Sequence, residues 1–168
     1  NNIIAETSAL IDQVHTAIHH YKVVLDENPK LPNAHNNIAV AYKNIGFLDR
    51  AEDHLKTAIH LKPDFAQAYN NFGNVATDQA DMVAAQKHFL KSIELDEDYF
   101  DAYNNLASLY LDQAAPLVEK KNALDYKQEK IFNKYGKEIN KFYNKALPHL
   151  ESCLRINPDH VQIAYALK

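Results

Sequence analysis

The sequence predicts an all-α fold: a solenoid of antiparallel helix pairs with one extended helical hairpin. Three observations lead there. A block recurs every 34 residues, as Ala34-His35-Asn36-Asn37-Ile38-Ala39, Ala68-Tyr69-Asn70-Asn71-Phe72-Gly73 and Ala102-Tyr103-Asn104-Asn105-Leu106-Ala107. Apolar residues follow each block at helical spacing. Three Gly and six Pro are too few for an all-β chain of many tight turns.

The elements follow in order. Ile4, Ile11, Val14, Ile18, Tyr21 and Leu25 run without a turn signal, which predicts one long helix over 3–27. Its second half completes a first unit (1–31), and its first half is expected to cover the end of the stack. Units at 32–65 and 66–99 each hold two helices. Small residues (Ala39, Gly73, Ala107; Ala51, Ala85) stand where helix backbones approach closely, and Leu55, Phe89, Ile59 and Ile93 fill the gaps. Pro29, Pro63 and Pro158 close units, because proline cannot continue a helix, while Glu97 takes that slot once. The next unit, 100–160, carries an insertion at 114–141. Phe132, Tyr135, Ile139, Phe142, Ala146, Leu150 and Cys153 recur about every 3.5 residues, the spacing of a helix packed along a partner helix. Both helices of this unit are therefore expected to lengthen into a hairpin. Pro116 and Pro148 should kink it or mark helix starts, and Gly136 is a weak point. Residues 161–168 begin a further repeat. The chain starts at Asn1 and stops inside a helical pattern, so it is expected to be a piece of a longer protein.

The period and the matching slots resemble the tetratricopeptide-repeat (TPR) family over 17–113 and 142–168. That resemblance implies a right-handed superhelix whose first helices line a concave groove. It departs from the family at His35, which replaces the opening aromatic, and in having the usual glycine only as Gly73.

Composition narrows the function. A net charge of −4 and a pI of about 6.1 argue against a general nucleic-acid binder. The single cysteine excludes an internal disulfide and a multi-cysteine zinc site. No apolar run approaches the ~18 residues that a membrane span needs. The compartment stays open, with cytoplasm favoured over secretion. No phosphate loop, zinc-protease motif or serine-nucleophile motif is present, so an enzyme is not expected, nor a cofactor.

In the groove that the resemblance implies, the lining residues would be polar. Asn37, Asn71 and Asn105 form a ladder, backed by Asn36, Asn70, Asn74 and Asn104. An amide both donates and accepts, so it can pair with a peptide backbone whatever the side chains. The ladder resembles the asparagine-lined solenoid of O-linked N-acetylglucosamine transferases and some polarity adaptors, which implies peptide binding. Lys43, Asp78, Asp101 and Asp112 would bias side-chain choice. Co-chaperone members of the family grip a terminal carboxylate with basic residues; here those slots hold Asn70, Gln162 and Ala166, so that mode is not expected. The partner is then a protein or peptide bound in an extended form. Two other readings remain: self-assembly through the solenoid ends, where Ile163 and Leu167 would lack a following unit, and a recruiting arm of a larger enzyme.

Other constellations read as structural. His20, His54, His88 and His149 share a slot, but units a helix diameter apart (~10 Å) cannot converge on one ion. They are expected to be partly buried packing residues. His15 and His19 lack a third ligand. Cys153 lies on an apolar stripe and reads as core. The insertion carries seven lysines against four carboxylates, read first as a solvated face and second as a dock for an acidic partner.

Overall fold

The computed structural model describes residues 2–125 and 127–166, with side chains at 11–125, 127–160 and 162–164. Every regular element among them is helical. The chain divides into two compact units, 1–95 and 96–168.

The first unit holds α1 (Asn2–Glu27), α2 (Pro32–Asn44), α3 (Leu48–Leu61), α4 (Ala66–Asp78) and α5 (Met82–Leu95). The long first helix is continuous, as the absence of turn signals predicts. Val14, Ile18, Tyr21 and Leu25 pack it onto Ile38, Ala39, Tyr42, Leu55 and Ala58. Ile11 stands largely exposed, and the expected cover by the first half of α1 falls on side chains outside the described residues.

Within each pair, small residues admit the facing helix. Ala39, Ala51 and Ala85 have no exposed surface, and Gly73 is buried. A Cβ on Gly73 would overlap the Phe89 ring, which is 1% exposed and has no room to retreat. The preceding pair solves the same close approach with Ala39 and the smaller Leu55. Gly73 and Phe89 are thus a matched exchange of volume between helices.

The turns inside the pairs are also matched. After α2, Gly46 takes a left-handed conformation (φ 79°), with Gly46 N–H donating to Lys43 C=O and Phe47 N–H to Tyr42 C=O. After α4, Ala80 occupies the equivalent place at φ 60°, with Ala80 N–H donating to Thr77 C=O and Asp81 N–H to Ala76 C=O. The two hydrogen bonds satisfy carbonyls that the helix end leaves open. Asp81 then starts α5, its Oδ1 accepting from Ala84 N–H at 2.9 Å. His35 fills its aromatic slot with polar contacts. Its Nε2 lies 3.0 Å from the Pro29 carbonyl and its Nδ1 2.9 Å from His54 Nδ1. A carbonyl only accepts, so His35 Nε2 carries the proton and His54 Nδ1 donates.

The second unit holds α6 (Phe100–Asn122), α7 (Glu129–Ile156) and α8 (Val161–Ala166). The lengthened pair is present: 23 and 28 residues pack antiparallel, burying Ala102, Leu106, Leu109, Tyr110 and Ala114 with Ile139, Ala146 and Cys153. Three expectations are corrected. Pro116 and Pro148 mark no helix start: they lie inside α6 and α7, which continue through them. Phe132 is 44% exposed instead of seated in the seam, with the Lys121 ammonium 4.4 Å from its ring centre. Ile163, on α8 itself, is 6% exposed and so is already buried where α8 packs on α7; Leu167 lies outside the described residues. Arg155 joins the end of α7 to the turn before α6, donating to Asp98 Oδ1 at 2.8 Å and to the Glu97 carbonyl at 2.9 Å.

Two stability outcomes follow from the first unit. Gly73→Ala should cost about 1–3 kcal/mol by overpacking, and adding Phe89→Leu should recover most of it, as read by urea unfolding of both variants. Ala80→Gly should stabilise by about 0.5–1 kcal/mol, because relief of the left-handed strain exceeds the added chain entropy of glycine; a melting temperature equal to or below the parent's would contradict it.

Candidate functional site

The first unit carries a cleft of about 520 Å³ between α1, α2 and α4. Gln13, Val14, Ala17 and Tyr21 come from α1, Asn37, Val40, Ala41 and Asn44 from α2, and Gln67 and Asn71 from α4, with Asn36 beneath them. Among the described residues no charged side chain lines it. Its wall alternates amides with short apolar groups, a composition suited to a neutral chain with its own donors and acceptors.

Asparagines bind this cleft together. Asn71 Nδ2 donates to Asn36 Oδ1 at 2.8 Å, and Asn36 Nδ2 donates to Asn37 Oδ1 at 3.2 Å. This relay crosses from α4 to α2 through a side chain that is 1% exposed. It also orients both outer amides. The Asn37 oxygen is engaged, which leaves its NH₂ outward. The Asn71 NH₂ is engaged, which leaves its oxygen outward. The cleft thus presents one donor and one acceptor held in place, the pair that a peptide C=O and N–H require.

The other residues expected at the site fall into distinct places. Asn36 and Asn70 are buried (1% and 3% exposed), so they differ from the expectation of direct contact. Neighbours on a helix point about 100° apart; when the second asparagine of a pair faces the cleft, the first turns inward. Lys43 Nζ lies 3.4 Å from Asp78 Oδ2, so these two charges offset each other between α2 and α4. Asn74 is half-buried on α4, outside the cleft lining. Asn104 and Asn105 are half-buried on α6 of the second unit, where Asp101 and Asp112 are exposed. The sequence reading missed the α1 wall. Gln13, Ala17 and Tyr21 recur at intervals of four, and that stripe was the available signal.

The histidine slot is a stacking device. His88 lies flat on Phe72 at 4.0 Å between ring centres, His54 on Tyr42 at 5.6 Å and His149 on Tyr110 at 6.0 Å. His20 is exposed and meets only the edge of Tyr21, which corrects its expected burial. Burial pulls His54, His88 and His149 below the ordinary imidazole value. Among the described residues no group of three ligands could hold a metal ion. Burial, then nearby Asp101, pushes the Cys153 thiol up to about 11, so it stays protonated. No helix among the described residues is long and apolar enough to cross a membrane.

Antiparallel helix pairs on a 34-residue period, with a polar cleft on their first helices, define a helical-repeat scaffold. Tetratricopeptide-repeat models match 32–65, 66–99 and 88–129, and the chain belongs to the tetratricopeptide-repeat family. Among curated proteins no sequence matches significantly. Solved structures with the same fold include MamA (21% identity, TM-score 0.65, covering 95% of this chain and 78% of that one). YrrB, described as a TPR protein with an unusual peptide-binding site, is similar at 18% identity and TM-score 0.54, covering 96% and 87%. The first TPR of Spaghetti (RPAP3), bound to the HSP90 peptide SRMEEVD, is similar at 25% identity and TM-score 0.57, covering 61% and 82%.

The stacked histidines give the fold a pH signature. Their folded values lie below the unfolded 6.5, so the unfolded chain takes protons first. Stability is complete above pH 6.5 and falls as pH drops through the folded values. Melting temperatures measured from pH 7.5 to 5 should therefore decline, and replacing His54, His88 and His149 by Gln should flatten that slope.

Proposed function

We propose that this chain is a protein-interaction module that holds an extended, uncharged peptide segment in the α1/α2/α4 cleft. The observation that carries the reading is the amide relay, which fixes Asn37 as an outward donor and Asn71 as an outward acceptor. A peptide backbone laid across them satisfies both groups without reference to its side chains. Val14, Ala17, Val40 and Ala41 favour a small apolar side chain between those contacts, since no ion in the lining could pair with a buried charge. Asn36 is a positioning residue, and Lys43 with Asp78 forms a neutralised rim. In the second unit, α6 repeats the Asn104–Asn105 pair and would make its own contact, with Asp101 and Asp112 beside it.

Two structural relatives support peptide binding as the class of activity, one by its bound peptide and one by its described peptide-binding site. The bound peptide of the first is acidic at its end. The cleft described here has no cation to receive such a terminus, and Gln162 stands in a slot where that mode needs a base. The occupant is accordingly an internal, neutral segment, and the chain acts as a binder, not a catalyst.

The test begins with a peptide selected from a displayed random library. Asn37→Ala should weaken its binding by about tenfold, the loss of one or two backbone hydrogen bonds, when measured well below a melting temperature that falls modestly because the buried Asn36 amide loses its acceptor. Replacing single peptide amides by esters should locate the N–H that Asn71 accepts. If no ester lowers affinity, backbone reading is wrong.

A further inference from the structure

We infer that the far end of the α6–α7 hairpin is a second binding site, a cationic face that takes an acidic, amphipathic segment of a partner protein. Lys130, Lys134, Lys137 and Lys141 recur at intervals of four, three and four, which aligns them on one stripe of α7. All four are exposed. Lys141 is paired with Glu138 at 2.8 Å, but Lys130, Lys134 and Lys137 form no ion pair among the described residues. Elsewhere Lys43, Lys56, Lys91 and Arg155 are each matched to an acid, and unpaired lysines such as Lys30 and Lys87 are scattered instead of aligned. Like charges one turn apart oppose a helix, so three unmatched ammonium groups side by side are a cost that fold stability does not explain.

The stripe borders a recess of about 350 Å³, lined by Lys130, Asn133, Lys134, Lys137 and Glu138. Ile131 and Phe132 stand beside it, each 44% exposed. Cations in line with an apolar edge call for a ligand with both carboxylates and apolar side chains. Charge complementarity names its sign: residues 114–141 carry seven lysines against four carboxylates, a local +3 in a chain of −4. The spacing names its form, because an acidic helix repeats its carboxylates at the same three- and four-residue intervals.

A protein segment fits better than the other polyanions. Glu138 lies within the recess and Glu129 at the start of α7, where a uniformly anionic bilayer or a phosphate backbone would be repelled. A peptide can place a neutral or basic residue opposite them and gain register. The Phe132 ring is occupied by the Lys121 ammonium at 4.4 Å, which removes the open aromatic face that a nucleobase needs.

The test uses the whole chain and three probes: a fluorescent synthetic helix of alternating Glu and Leu turns, vesicles containing phosphatidylserine, and oligodeoxythymidine. The peptide should bind, and binding should weaken with added salt. Lys130→Gln/Lys134→Gln/Lys137→Gln should weaken it at least about tenfold while keeping the circular-dichroism spectrum and melting temperature. A matched variant, Lys22→Gln/Lys30→Gln/Lys87→Gln, should leave it within twofold, which separates a site from diffuse charge. Equal losses in the two variants, stronger binding to vesicles or oligonucleotide, or loss of the peptide in Asn37→Ala would each overturn the assignment.

Discussion

The structure depends on how closely two helix backbones approach within a pair. Ala39, Ala51, Ala85, Ala102, Ala107 and Ala146 are buried to 0–1% exposure, and Gly73 has no room even for a methyl group. Small residues at those positions bring the axes together, and only then do Leu55, Phe89 and Leu106 reach across and exclude water. Each side chain removed from water contributes about 1.5–3 kcal/mol, but a single pair leaves its outer face wet. Packing α1 on α2 and α3 on α4 turns that face inward. Repetition is a physical requirement of such short helices.

The same geometry shapes the cleft. Close stacking of successive pairs brings α2 and α4 within reach of one asparagine side chain, and Asn36 bridges them. A buried amide is costly unless its groups are satisfied. Here the cost is offset by Asn71 on one side and Asn37 on the other. Fold and cleft therefore share an interaction: the bond that joins two repeats also orients the Asn71 amide in the cleft. A leucine in place of Asn36 could join the repeats by burial alone, but it would leave both outer amides free to rotate.

Periodicity made the helix pairs legible in the sequence, since a 34-residue spacing repeated in several slots admits few folds. The lengthened hairpin was legible for the same reason, through the seam from Tyr135 to Cys153. Other features were not. Spacing alone cannot say which of two adjacent asparagines faces inward, because the answer depends on the rotation of α2 and α4 against α1. The α1 wall was hidden because α1 lacks the asparagine block that marked the other helices. Phe132 left the seam because the register of α6 ends near it, with Lys121 as its neighbour instead of an apolar group. Pro116 and Pro148 were read by their local rule, yet α6 and α7 continue through them because surrounding helix turns and the packed partner outweigh one lost bond.

The chain also separates its chemistry by place. The cleft on α1, α2 and α4 is neutral and amide-rich, and its nearest ion pair, Lys43–Asp78, cancels itself. The end of the hairpin is cationic, with three lysines that form no ion pair among the described residues. A neutral segment gains little at the hairpin, where its apolar groups meet charge. An acidic segment gains little in the cleft, where burial would strip its carboxylates of water with no cation in return. On the proposed readings, the two surfaces would discriminate between neutral and acidic segments by desolvation alone.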